Sequence, residues 1–186
     1  DILITTGSQQ GLDLIGKVFL DAQDVILTEN PTYLAAIQAF QCFQANFNPV
    51  PTDANGIIPD AVDGLAADGK IAFLYVIPNF QNPVSYTHLA IKAFDEANRV
   101  VYLSTFSKTV APGFRTGWAV APKDIRDKLI IAKQAADLHT SSFDQLVLER
   151  YLRDFDNERH VERVRAAYGE RYTVMDEALE RCMPKG

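Results

Sequence analysis

Val100-Val101-Tyr102-Leu103-Ser104-Thr105-Phe106-Ser107-Lys108 is an apolar run that gives way to hydroxyl residues and then a lysine, with Pro112-Gly113-Phe114-Arg115 and Gly117-Trp118 close behind. Val100 to Ser104 has the length and apolar content of a buried strand. A lysine just past such a strand offers an amine that an aldehyde can reach. Hydroxyls beside it and an arginine seven residues on can grip a phosphate through charge-assisted hydrogen bonds. A Ser-Lys pair alone is an ordinary surface feature, so its weight depends on the surrounding pattern.

That pattern is layered α/β. Ile71 to Ile77 reads as a fully buried central strand, Asp24 to Thr28 as a short buried one, and Phe43 to Val50 as another. Between them, Leu12, Leu14, Ile15, Val18 and Phe19 fall at helical spacing behind Ser8, a candidate N-cap, which predicts a helix over 8–21. Pro31 stands where a second helix would begin, continued by Tyr33, Leu34, Ile37 and Phe40. Pro51 to Asp60 reads as a surface connection. From Pro122 the pattern is helical: 122–136, 142–153, then a charged stretch from Asp156 to Arg181. Strands alternating with helices predict a three-layer α/β fold with a mainly parallel sheet, which binds ligands at the carboxyl ends of its strands.

Composition narrows the partners. Eighteen basic against twenty-four acidic residues give a formal charge of -6 without a block of like charges, so neither nucleic acid nor an anionic membrane is indicated. Two cysteines, Cys42 and Cys182, make neither a disulfide framework nor a metal site, and the expected setting is reducing and cytoplasmic. The longest apolar run, Ile71 to Pro78, is too short to cross a bilayer. Asp1 to Gly7 reads as a chain entered in mid-fold. Small molecules are the expected partners.

Further segments carry chemistry. Thr5-Thr6-Gly7-Ser8-Gln9-Gln10 puts a glycine and a hydroxyl at a helix N-terminus, where backbone N–H groups and the dipole suit a phosphate. Asn30-Pro31-Thr32-Tyr33 offers a ring able to stack on a flat heterocycle. Pro78-Asn79-Phe80-Gln81-Asn82-Pro83 brings amides to the end of the Ile71 strand. Gly11 to Val18 imitates P-loop spacing, but Val18 stands where a magnesium-binding hydroxyl is needed and the segment is periodic, so a P-loop is rejected.

Taken in order, these segments resemble the class I/II aminotransferases of fold type I, pyridoxal-phosphate (PLP) enzymes, and especially the aminoadipate and kynurenine aminotransferase branch. The resemblance runs over nearly the whole chain. It implies that Gly7, Ser8 and Gln9 form the first phosphate loop, that Tyr33 stacks on the cofactor ring, and that Asn82 donates to its 3'-oxygen. Thr105, Ser107 and Arg115 would belong to the phosphate site, and Lys108 would be the Schiff-base lysine. It further implies an amino acid and a 2-oxo acid as substrates, a homodimer, no metal, a partial large domain over 1–155, and a helix over 156–186 leading towards a small domain.

The likeness breaks in one place. The family carries, between the Asn-Pro motif and the lysine strand, an aspartate for the pyridine nitrogen and a tyrosine facing the 3'-oxygen. Here 26 positions separate Asn82 from Lys108, and Val84-Ser85-Tyr86-Thr87-His88-Leu89-Ala90 has no family counterpart. This predicts an internal deletion or sequence join near Val84. Asp95 is not a replacement, since Ala93-Phe94-Asp95-Glu96 resembles the surface segment preceding the lysine strand. The C-terminal arginine that binds the substrate carboxylate in similar enzymes is not among these residues. Two other readings fit the same residues: the aminotransferase-like effector domain of a GntR-type transcription regulator, and a non-catalytic fragment.

Overall fold

The computed structural model describes residues 2–53, 56–66, 71–78 and 91–183. The strands are β1 (Ile2–Thr5), β2 (Val25–Thr28), β3 (Asn46–Pro49), β4 (Thr52–Asp53), β5 (Gly56–Ile57), β6 (Ile71–Tyr75), β7 (Tyr102–Thr105) and β8 (Gly117–Val120). The helices are α1 (Gly7–Phe19), α2 (Leu34–Gln41), α3 (Pro59–Ala66), α4 (Lys123–Asp137), α5 (Ser142–Asp154) and α6 (Asn157–Cys182). The α/β class is the one expected. Its sheet content is mixed: β3-β2-β6 is parallel throughout, β1-β8-β7 is antiparallel at both pairings, and β4 with β5 makes a small antiparallel pair.

The chain forms two compact units. One comprises Asp1–Thr105 and Thr116–Thr140; the other comprises Phe106–Arg115 and Ser141–Gly186. In the first, one core gathers Leu12, Ile26, Ala36 and Phe40, with Leu103 from β7 and Phe73 and Tyr75 from β6 packed against it. A second core joins Leu14 of α1 to Leu129 of α4 and Ala121. Helix α1 is therefore the element common to both, which fixes its N-terminal turn against the strands. In the second unit, α5 is capped by Ser141, whose Oγ accepts from Asp144 N, and α6 by Asp156, whose carboxylate accepts from Arg159 N.

Several boundaries differ from expectation. Helix α2 starts at Leu34 rather than at Pro31, because Tyr33 holds an extended backbone with ψ 115° and serves as the N-cap. Ser8 is not the N-cap of α1; Thr6 is, and Ser8 lies inside the first turn. Strand β6 is half-buried rather than fully buried, with Leu74 exposed, and among the described residues it pairs with β2 alone. A strand lacking a neighbour on one side leaves part of its surface open.

Asp95 ends the 3-10 turn Ile91–Phe94 and belongs to local structure. Its carboxylate accepts from Lys92 Nζ at 2.5 Å, Arg99 N at 2.8 Å and Val100 N at 3.0 Å. The Lys92 bond foremost, then the Arg99 amide, hold it down from the usual 3.8 to about 2. A carboxyl depressed in the folded state adds stability that is full above its unfolded value and disappears as pH falls towards 2. Asp95→Asn is expected to unfold at lower denaturant than the wild type at pH 7, and acid titration of both should show the gap closing between pH 4 and 2. Phe40, 1% exposed and edge-on to Phe73 and Tyr75, is the largest fully buried side chain in the first core. Phe40→Ala should cost about 3–5 kcal/mol by urea denaturation.

Candidate cofactor site

The end of sheet β1-β8-β7 is built from one row of residues: Thr5 pairs with Gly117, and Gly117 with Thr105. Thr5 is wholly buried, and its Oγ1 donates to Gly7 O at 3.0 Å, turning the chain sharply from β1 into α1. Gly7 takes φ 74°, a left-handed value that favours glycine. A methyl group on Gly117 would stand 2.8 Å from Gly7 C, 2.9 Å from Ser8 N and 2.7 Å from Ser104 O, so the first turn of α1 rests directly on β8. The turn at Gly7 and Ser8 and the carboxyl end of β7 are thereby held side by side. Thr105 Oγ1 donates to Thr116 O at 3.1 Å, fastening the two ends from which segment 106–115 departs and returns.

The first turn of α1 is open to an anion. Its N-cap residue makes no side-chain bond to the helix, and no acidic residue occupies the turn. The N–H groups there carry the positive end of the helix dipole. Gln9 contributes less than its side chain suggests, because Nε2 donates to Ala35 O at 3.0 Å and so serves to tie α1 to α2. What Gln9 can offer an anion is its backbone N–H.

Tyr33 is half-buried against the Leu12 and Phe40 core at the start of α2. Nearby, burial pushes the Tyr75 hydroxyl upward, with Tyr33 and Glu29 adding to the effect, so it stays protonated across the physiological range. Glu29 is buried and its carboxylate accepts from Ile77 N at 3.0 Å. Sequence reasoning passed over Glu29; its place near Tyr75 was not signalled by spacing. Asn82 lies outside the described residues.

In the second unit, Phe106 to Val110 forms a hydrogen-bonded turn, with Val110 N donating to Phe106 O at 2.9 Å, and Lys108 is exposed on it. Arg115, at φ 46°, reaches back so that its guanidinium donates to Ser107 Oγ and Pro112 O, each at 3.4 Å. Two of the expected phosphate ligands, Ser107 and Arg115, are thus adjacent, one residue from Lys108. An uncapped helix start resting on a glycine, and a cation paired with a hydroxyl, are donor sets that fit a phosphomonoester.

The family model for aminotransferase class I and II matches residues 73–185. The chain belongs to that family. It is 38% identical to aromatic-amino-acid aminotransferase 1 of Thermococcus litoralis, covering 100% of this chain and 54% of the relative. It superposes with TM-score 0.87 and 38% identity on the kynurenine aminotransferase of Pyrococcus horikoshii, a structure in complex with PMP, covering 100% of this chain and 56% of that one. It is also 29% identical to the HTH-type transcriptional regulator YisV of Bacillus subtilis, covering 97% of this chain and 44% of the relative. The chain spans about half the length of the curated relatives it matches. The first alignment runs over 226 positions against 186 residues here, a difference of 40.

Gly117→Ala should destabilise the protein by about 1–3 kcal/mol in denaturant and displace the amide resonances of Gly7 and Ser8, because the added methyl must push the turn off β8.

Proposed function

We propose that this chain is the cofactor-binding part of a pyridoxal-phosphate-dependent aminotransferase that transfers an amino group between an amino acid and a 2-oxo acid, with Lys108 as its catalytic lysine. The observation that carries the reading is the pairing of Arg115 with Ser107 one residue from an exposed lysine, in a chain matching the aminotransferase family over 73–185. Lys108 follows Thr105 by three residues, and a chain spans at most about 3.6 Å per residue, so covalent geometry keeps the amine's anchor within about 11 Å of the end of β7.

In this reading Ser8 and Gln9 bind the phosphate through backbone N–H groups at the head of α1. Ser107 and Thr105 add hydroxyls, and Arg115 supplies the countercharge. Tyr33 would stack on the ring, and Asn82 would be the donor to its 3'-oxygen. Bound pyridoxal phosphate supplies an aldehyde for the substrate amine and an electron-withdrawing ring that stabilises negative charge at the substrate α-carbon. Lys108 would hold the cofactor through its Nζ, and the same amine would move the proton at the substrate α-carbon. General acid–base assistance of this kind is typically worth about 10²–10⁴ in rate.

Asp95 is bound by Lys92 and two backbone amides, which supports the reading that it is no partner for a ring nitrogen. We infer that the 40-position difference from the Thermococcus relative falls near Val84, where the family's aspartate and tyrosine would lie. We further assign residues 1–155 to the large domain and 156–186 to the helix leading out of it, and we assign the protein to the cytoplasm as a homodimer. Exposed Phe143, Leu146, Phe155, Tyr168 and Tyr172 support an apolar partner surface on the second unit. A second reading, cofactor-dependent effector binding in a transcription regulator, is favoured by the YisV match.

Addition of pyridoxal phosphate should produce a visible absorption band; borohydride reduction and peptide mapping should then place the label on Lys108. A label on Lys17, Lys92 or Lys128 with none on Lys108 contradicts the assignment. Lys108→Ala should abolish the label and lower turnover by about 10²-fold or more. A labelled protein that converts no amino acid supports the regulator reading.

A further inference from the structure

Thr6 stands where a helix is ordinarily closed, its side-chain oxygen accepting from an N–H of the first turn. It makes no such bond. Thr6 Oγ1 instead donates to Asp137 Oδ2 at 3.1 Å and lies 3.2 Å from Thr140 Oγ1, at the far end of α4. The Thr6 backbone N–H is taken by Gln10 Oε1 at 2.8 Å, and Gln10 Nε2 donates to Asp137 Oδ2 at 2.7 Å. Lys133 completes the group. It is 4% exposed, donates to both Asp137 oxygens at 2.7 and 2.9 Å, and donates to Gln10 Oε1 at 2.9 Å.

An i,i+4 ion pair serving only α4 needs neither Thr6 nor Gln10. A carboxylate alone at the head of α1 would take the place of an anion there through the helix dipole. Lys133 cancels that charge while leaving Asp137 able to accept. Burial by itself would raise the Asp137 carboxyl, but the bonds from Lys133, Gln10 and Thr6 and the Lys133 charge outweigh it, so it stays ionised.

We propose that the Lys133–Asp137 pair is a positioning device that draws the Thr6 hydroxyl away from its own helix, keeping the first-turn N–H groups of α1 uncapped and available to the cofactor phosphate. It rests on the reading of Gly7 to Gln9 as a phosphate site. The ligand loses if the pair is removed, because Thr6 can then rotate into the ordinary capping position and compete.

The test measures the affinity of the full protein for pyridoxal phosphate and for pyridoxal, which lacks the phosphate, with a thermal melt on every variant. Asp137→Ala is expected to weaken pyridoxal phosphate roughly tenfold, the scale of a lost or gained cap, and to leave pyridoxal unchanged. Thr6→Val, which cannot cap, should bind like the wild type. Combined with Asp137→Ala it should restore affinity to within about threefold, a rescue that a merely structural role of Asp137 would not produce. Should Asp137→Ala fail to fold, Lys133→Met leaves the Asp137 carboxylate uncancelled beside α1 and should likewise weaken pyridoxal phosphate but not pyridoxal. Equal losses for both ligands, or no rescue by Thr6→Val, overturn the device while leaving the cofactor site standing. A wild-type protein that binds no pyridoxal phosphate overturns both.

Discussion

Gly117 has no side chain, and in that space three stretches of backbone meet: the carbonyl of Ser104 leaving β7, the Gly7–Ser8 peptide opening α1, and β8 itself. The contact fixes where the helix starts relative to the strand end, because the register rows through Thr5, Gly117 and Thr105 leave no slack between them. The N–H groups of α1 emerge beside the carboxyl end of β7, and the chain leaves that end to carry Lys108, Ser107 and Arg115.

Polar side chains then decide whether that helix start is usable. Thr5 ties the turn internally through Gly7 O, whereas Thr6 is directed outward to Asp137 and Thr140. Cap hydroxyls normally stabilise a helix by about 1 kcal/mol. Here that stabilisation is forgone and offset by the Lys133 network, the kind of local cost found where a backbone must stay free to bind.

Much of this was legible in the sequence. The periodicity of Leu12, Leu14, Ile15 and Val18 placed α1, and Ser107 and Arg115, singled out together in the sequence, lie within one hydrogen bond of each other. The errors have physical causes. Thr5, Thr6 and Ser8 all carry hydroxyls near one helix start, and only the tertiary pull of Asp137 on Thr6 shows which one is the cap residue and why it does not cap. Lys133 and Asp137 had no signal in the sequence, since nothing in a periodicity reveals that α4 lies against α1. Leu74 is exposed although its neighbours Phe73 and Tyr75 pack on the core, because burial of both strand faces depends on neighbours that a local sequence run does not specify.

The central proposal is that the first turn of α1 and the amine of Lys108 serve one ligand. A crystal structure of the full protein after borohydride reduction with pyridoxal phosphate tests it most directly. The account predicts the former aldehyde carbon of the cofactor bonded to Lys108 Nζ and a phosphate oxygen about 2.9 Å from the backbone N of Ser8 or Gln9. A reduced adduct on Lys108 whose phosphate lies away from α1, with the first-turn amides bound to solvent or to Thr6, would contradict it.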